Sequence, residues 1–350
     1  KMKHIQIFLI LLMVVALMSC YNTPQDNGDE KAAAGTALQT SDMLLHGVSD
    51  AVCYSGFRSG QHPDRGEGAV NPSYAEILED LQILTEETPF RLIRMYDCGE
   101  NTQMTLRVIR ENQLDFSVLL GIWLKAELSA HETCEWLTEP IPQETLDKNK
   151  VLNAEEINRG IELAREYSDI VVAVNVGNEA LVEWNDHMVS TDSIISYVQQ
   201  VQEAIEQPVT VADNYKWWAD HGQELAKVVD FVSIHTYPVW EGKAIDEGLS
   251  FTIENVKEVM DALPGAPIVI SEAGWATTAS EFGDRASESI QKRYVKELLE
   301  WAEQNNITTF IFEAFDEDWK GNPDNPLGAE KHWGLYKVDR TPKEVIEIFD

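Results

Sequence analysis

The chain has 350 residues, 44% of them hydrophobic, enough to bury a core of its own without a disulfide framework. Its formal net charge is −33. A field that negative keeps the protein soluble, repels nucleic acid and anionic polymers, and leaves neutral or cationic ligands as partners.

Lys1 and Lys3 lead an apolar run from Ile5 to Leu17, shorter than the roughly 20 residues of a membrane-spanning helix. A basic start, a short apolar run and a small residue, Ser19, predict a secretory signal over 1–19. Cys20 follows directly and resembles the lipid-attachment cysteine of bacterial lipoproteins; a signal peptide without lipid is the alternative. The expectation is an exported protein, lipid-anchored to the bacterial outer membrane on its periplasmic or outer face. It would touch the membrane only through that lipid and act as a monomer. Small and polar residues over 20–42 read as a flexible tether, and 43–350 read as one catalytic domain.

Within that domain two patterns alternate. Short apolar runs rich in Val, Ile and aromatics predict buried strands at 51–57, 90–97, 116–122, 170–178, 209–213, 229–235, 267–272 and 308–314. Segments with 3.6-residue periodicity predict helices at 74–87, 102–112, 154–167, 193–205, 252–262 and 287–305, with a short one at 223–228. Residues 342–349 close the chain. Eight strands alternating with helices predict parallel βαβ units, and apolar strands fit a sheet buried on both faces. The fold class is therefore α/β, a single-domain (β/α)8 TIM barrel. The rival, an open doubly wound sheet, is weakened because no Gly-rich phosphate fingerprint follows the first strand.

Cys53, Cys98 and Cys134 lack ligand spacing and read as isolated buried thiols, with a Cys98–Cys134 bridge as the alternative. His62, His131, His187, His221 and His332 show no metal-ligand spacing either, so neither a catalytic metal nor a cofactor is expected. The run Asp316-Glu317-Asp318 reads as a solvated loop or a set of sugar contacts before it reads as a Ca2+ site. No Gly-x-Ser-x-Gly elbow supports an esterase.

Active sites of such barrels lie at the C-terminal ends of the strands. The fourth strand ends in Asn178-Glu179 and the seventh in Ser271-Glu272, on opposite sides of the barrel. Paired carboxylates are what glycosidic cleavage requires: one protonates the leaving oxygen, and the other attacks the anomeric carbon or activates water. Two negative groups held close oppose joint ionisation, which keeps one of them protonated.

The segments VGNEALV (176–182), ISEAGWATTA (270–279), FEAFDEDWKG (312–321) and EKHWGLY (330–336) resemble glycoside hydrolase family 17. That family contains β-1,3-glucanases and belongs to the large clan of (β/α)8 retaining hydrolases. The likeness runs from about residue 51 to 336 and lies nearer the bacterial and fungal members than the plant ones. A bacterial lipoprotein branch is implied. The resemblance makes Glu179 the acid/base and Glu272 the nucleophile. It also implies that Asn178 bonds the sugar 2-hydroxyl, that Tyr237 holds Glu272, and that Glu313 and Lys320 line the cleft.

Aromatic rings stack on the apolar faces of sugars. Trp123, Trp240, Trp319 and Tyr96 are the expected platforms, with Tyr54, His235 and Asp316 as further substrate contacts. The expected activity is endo-hydrolysis of β-1,3-glucan of the laminarin type by double displacement, the partner being a neutral poly- or oligosaccharide. A β-1,3-glucanosyltransferase is the rival within catalysis. A non-catalytic glycan-binding lipoprotein is the rival outside it, disfavoured because a binder needs no carboxylate pair.

Overall fold

The computed structural model describes residues 37–40, 50–64 and 66–349. The expected signal peptide and Cys20 lie outside the described residues, as does most of the tether. Eight strands, all parallel, close into a barrel in sequence order. They are β1 Ala51–Cys53, β2 Leu92–Arg94, β3 Ser117–Ile122, β4 Val171–Asn178, β5 Val209–Asn214, β6 Phe231–Thr236, β7 Ile268–Ala273 and β8 Thr309–Ile311. β1 pairs with both β2 and β8, which closes the ring.

Around it lie α1 Tyr74–Glu87, α2 Glu100–Asn112, α3 Gln143–Glu166, α4 Thr191–Gln202, α5 Tyr215–His221, α6 Ile245–Ala262 and α7 Glu288–Asn305. Their starts are chemically marked. Ser73 and Glu76 form a capping box at α1, while the Ser190 and Ser287 hydroxyls accept from the Ser193 and Ile290 amides in the first turns of α4 and α7. The strands are buried almost throughout, as expected of a sheet sandwiched between a packed interior and a helical layer. Gly121 of β3 is required where the chain just beyond β2 packs against it. A Cβ there would stand 2.4 Å from the Met95 carbonyl oxygen, a backbone atom that cannot swing aside.

Several expectations need correcting. The helix expected at 252–262 begins at Ile245, and the one expected at 223–228 is a single 3-10 turn, Leu225–Lys227, after α5. α3 begins at Gln143, well before 154, because its first turns are mostly polar and exposed and give no apolar stripe. Residues 37–40, expected to be loose tether, are docked. The Gln39 side chain is buried, donating to Ile268 O at 3.0 Å and Asn306 O at 3.1 Å and accepting from Ile268 N at 2.6 Å. These partners lie at the N-terminal ends of β7 and β8, opposite the strand ends that carry the two glutamates. Cys53, Cys98 and Cys134 are free and buried.

Candidate active site

The ends of β2, β4, β6 and β7 converge on one cluster. Glu272 lies inside β7, register-paired with His235 of β6. Glu179 directly follows β4. One oxygen of each carboxylate and Nδ1 of His235 all lie within 4.8 Å of one another. The sequence expectation that the two glutamates meet is therefore realised in space.

Glu272 is buried and heavily hydrogen-bonded. Arg94 Nη1 donates to its Oε1 at 2.5 Å, Tyr96 OH to the same oxygen at 3.0 Å, and Tyr237 OH to Oε2 at 2.5 Å. Burial alone pushes the Glu272 carboxyl up. The pull of His235, whose Nδ1 faces the carboxylate, the charge of Arg94 and the bonds from Tyr237 and Arg94 outweigh it and hold the carboxyl below the ordinary glutamate value. The site thus favours an ionised Glu272, the form a nucleophile needs.

Glu179 sits in a different setting. Its Oε1 accepts from His235 Nδ1 at 2.9 Å and its Oε2 from Asn185 Nδ2 at 3.2 Å. It is partly open to solvent, where a substrate can reach it. His235 is buried, with Nε2 at 3.4 Å from Arg94 Nη1. Arginine has only donors, so Nε2 is the bare nitrogen and Nδ1 carries the hydrogen that faces the carboxylates. With that proton in place and Arg94 alongside, the trio is a hydrogen-bond network and a poor cation cage.

Arg94 is the principal residue that the sequence reading missed. It is fully buried and bonds Glu272, Ser271 O and, through Nη2 at 2.5 Å, Asn178 Oδ1. It ties Glu272 to the residue before the second glutamate. The available signal was a charge inside the apolar run FRLIRMY. Asn185 and His187 were also missed; His187 Nε2 lies 2.8 Å from Asn178 O, and its ring lies 4.6 Å from that of Trp123.

A second cluster follows β8. Lys320 Nζ bonds Glu313 at 2.5 Å and Glu317 at 2.6 Å, both carboxyls buried, while Ser55 and Trp319 donate to Glu317 Oε1. Burial holds Glu313 well above the ordinary range despite Lys320, and Glu317 adds to the effect. Burial also acts on Glu317, but Lys320 and the donated bonds overcome it and keep that carboxyl low. One proton on Glu313, one negative charge on Glu317 and one positive charge on Lys320 balance. Lys320 stands 4.5 Å above the Phe312 ring, which packs edge-on against Tyr237 at 5.7 Å and so links this cluster to Glu272.

Several expected contacts are placed otherwise. Cys53 turns into the barrel toward Ser271 O, so Tyr54, one residue on, faces the helices. Tyr54 is fully buried with its hydroxyl on Asp80 of α1 and cannot touch sugar. Asp316 is equally sequestered: buried Lys343 requires a counter-ion and finds it there at 2.7 Å. The acidic run is therefore no solvated loop, since only Asp318 is exposed. Tyr96 gives its hydroxyl to Glu272 and a ring face to Arg94 at 4.6 Å, so it holds that carboxylate instead of stacking. Trp240 stands at the rim, 46% exposed and edge-on to Phe282 at 4.5 Å. Trp319 is half-buried against Phe57. Trp136 and Trp184, not singled out in the sequence, are 74% and 48% exposed on the loops after β3 and β4.

The profile of the BtgE/BtgC glycoside hydrolase domain matches residues 51–334, nearly the whole barrel. The chain belongs to this glycoside hydrolase family. It is 27% identical to a glucan 1,3-beta-glucosidase of Arthroderma benhamiae, covering 87% of this chain and 96% of that one. It is 25% identical to a glucan 1,3-beta-glucosidase of Schizosaccharomyces pombe, covering 77% and 79%. Among solved structures it resembles an endo-laminarinase from Formosa, with a TM-score of 0.70, 26% identity and 85% of each chain covered. It shares its fold with a Rhizomucor miehei beta-1,3-glucanosyltransferase, with a TM-score of 0.65 and 23% identity. The BtgE/BtgC domain thus coincides with the barrel and includes both glutamates.

Proposed function

We propose that this BtgE/BtgC-family barrel is an endo-acting, retaining β-1,3-glucanase whose nucleophile is Glu272 and whose acid/base is Glu179. The chain hydrolyses β-1,3-glucan; the names carried by its relatives and its likeness to an endo-laminarinase agree on that substrate. One observation carries the mechanism: carboxylate oxygens of Glu179 and Glu272 within 4.8 Å. Retaining enzymes keep their carboxyls about 5–5.5 Å apart, while inverting ones leave room for a water between them.

In the first step Glu272 attacks the anomeric carbon while Glu179 gives its proton to the departing oxygen. In the second, Glu179 takes a proton from water, which displaces Glu272 and returns the anomeric configuration to its start. In this mechanism Asn178, held by Arg94, bonds the sugar next to the nucleophile, and Trp123 and Trp240 are its stacking platforms. Export with a lipid on Cys20, a signal over 1–19 and attachment to the bacterial outer membrane complete the proposal, supported by the N-terminal sequence pattern.

Digestion of linear and branched β-1,3-glucan, with β-1,4 and mixed-linkage glucans as controls, tests the reading. Oligosaccharides of several lengths from the β-1,3 polymers alone are expected. Single-sugar release would refute endo action, and products longer than the substrate at high acceptor concentration would mark a transferase.

A further inference from the structure

The end of β5 holds the turn that carries Glu179. Along the β4–β5 ladder Asn175 pairs with Thr210, yet Asn178, three residues on, pairs with Ala212, only two on. That extra residue is a bulge. Around it the backbone is left-handed at Gly177, φ 81°, and again at Glu179, φ 46°. A residue with a Cβ adopts that conformation uncommonly, and keeps it only where neighbours fix it.

Two bonds from β5 do the fixing. Glu179 N donates to Ala212 O at 2.9 Å, and Leu181 N donates to Asp213 Oδ2 at 2.9 Å. The other Asp213 oxygen accepts from Asn214 N at 2.8 Å. Asp213 is fully buried, and among the described residues no cation pairs with it. Burial, reinforced by the charge of Glu179, pushes its carboxyl well up, and the two amides are what oppose this. A buried carboxyl without a counter-ion is costly, and an apolar side chain would fill the space at less cost. Its one structural return is the grip on Leu181 and Asn214.

We propose that Asp213 is a positioning residue for general acid/base catalysis: by holding Leu181 N it fixes the left-handed turn that aims the Glu179 carboxyl at the glycosidic oxygen. The proposal rests on the reading of Glu179 as the acid/base. Proton transfer requires hydrogen-bond reach, and a misplacement of about 1 Å can cost about 100-fold in rate.

The test compares Asp213→Asn, which keeps one amide acceptor, and Asp213→Leu, which keeps none, with the wild type and Glu179→Ala. Two substrates are used. Laminaripentaose has a leaving sugar that needs a proton; 2,4-dinitrophenyl β-laminaribioside releases a phenolate that needs none. For Asp213→Leu, kcat/KM on laminaripentaose should fall about 100-fold, with a smaller fall for Asp213→Asn, while the aryl substrate stays within about threefold. Azide, a nucleophile that needs no base, should speed aryl-glycoside turnover in both variants. Equal losses on the two substrates would show a merely structural role and overturn the proposal, as would no loss on either. If Glu179→Ala itself treats both substrates alike, the acid/base assignment fails instead. Should Asp213→Leu not fold, Asp213→Asn decides together with hydrogen exchange at the Leu181 amide. Faster exchange supports the grip, and unchanged exchange refutes it.

Discussion

Replacing Tyr237 by Phe removes one hydroxyl and little else. The ring keeps its edge-on contacts with Phe312 at 5.7 Å and Trp333 at 5.1 Å, so packing is preserved. What is lost is the 2.5 Å bond to Glu272 Oε2, whose remaining neighbour is His235 Nδ1 at 3.5 Å. A hydrogen bond to a charged group contributes about 1.5–3 kcal/mol. Each pKa unit corresponds to about 1.4 kcal/mol, so the Glu272 carboxyl should rise by about one to two units. The sign follows from its role. Activity needs the ionised carboxylate and is lost as pH falls through its pKa. In the wild type that value lies below the ordinary one, so activity persists into mild acid. In Tyr237→Phe the acid limb of the kcat/KM profile on a laminarin oligosaccharide should move up by about one to two pH units, with the profiles converging above it. An acid limb that stays put in a stably folded variant would refute the reasoning, because Tyr237 would then not tune the group that governs that limb.

Lys320→Met should leave Glu313 and Glu317 buried without their cation, at a cost of about 3–5 kcal/mol. Both carboxyls would then have folded-state pKa values raised above the unfolded ones. Stability from such groups is complete below the unfolded pKa and lost as pH rises, so urea denaturation should show a larger deficit at pH 8 than at pH 4; a deficit independent of pH would contradict the shared-proton arrangement. Gly121→Ala forces a methyl to within 2.4 Å of Met95 O. It should lower thermal stability, by about 1–3 kcal/mol or more at such a backbone clash, and reduce kcat by shifting neighbouring Tyr96 off Glu272. Arg94→Met should cost more activity than Tyr237→Phe, because it frees both Glu272 and Asn178; equal losses in kcat/KM would argue that Asn178 needs no anchor.

The barrel was legible because its strands are apolar on both faces and its helices mostly carry a 3.6-residue stripe. The exceptions are physical. α5 is a seven-residue helix made mostly of Tyr, Trp, His and Asp, poor helix formers whose place is set by packing of Trp218. β1, β2 and β8 are three residues each, shorter than their apolar runs, because the runs continue as non-ladder chain into the loops of the site. Of the site itself, residues announced by a strand end lie together in space: Glu179, Tyr237 and Glu272; His235, expected to touch sugar, is instead fully buried and bonds Glu179. Arg94 was not, since a charge within a strand is interpretable only once the opposite strand supplies Glu272. Tyr54 and Asp316 went the other way. Proximity to a strand end says nothing about which face a side chain takes, and that face was decided by Asp80 for one and Lys343 for the other.

In double displacement a carboxylate oxygen of Glu272 bonds to the sugar. Incubation with 2,4-dinitrophenyl 2-deoxy-2-fluoro-β-laminaribioside slows both steps but the second more, so that the glycosyl-enzyme accumulates. Intact-protein and peptide mass spectrometry should then find one laminaribiosyl adduct, on Glu272. An adduct on another carboxylate, or none while the enzyme still cleaves laminarin with inverted products, would contradict double displacement through this pair.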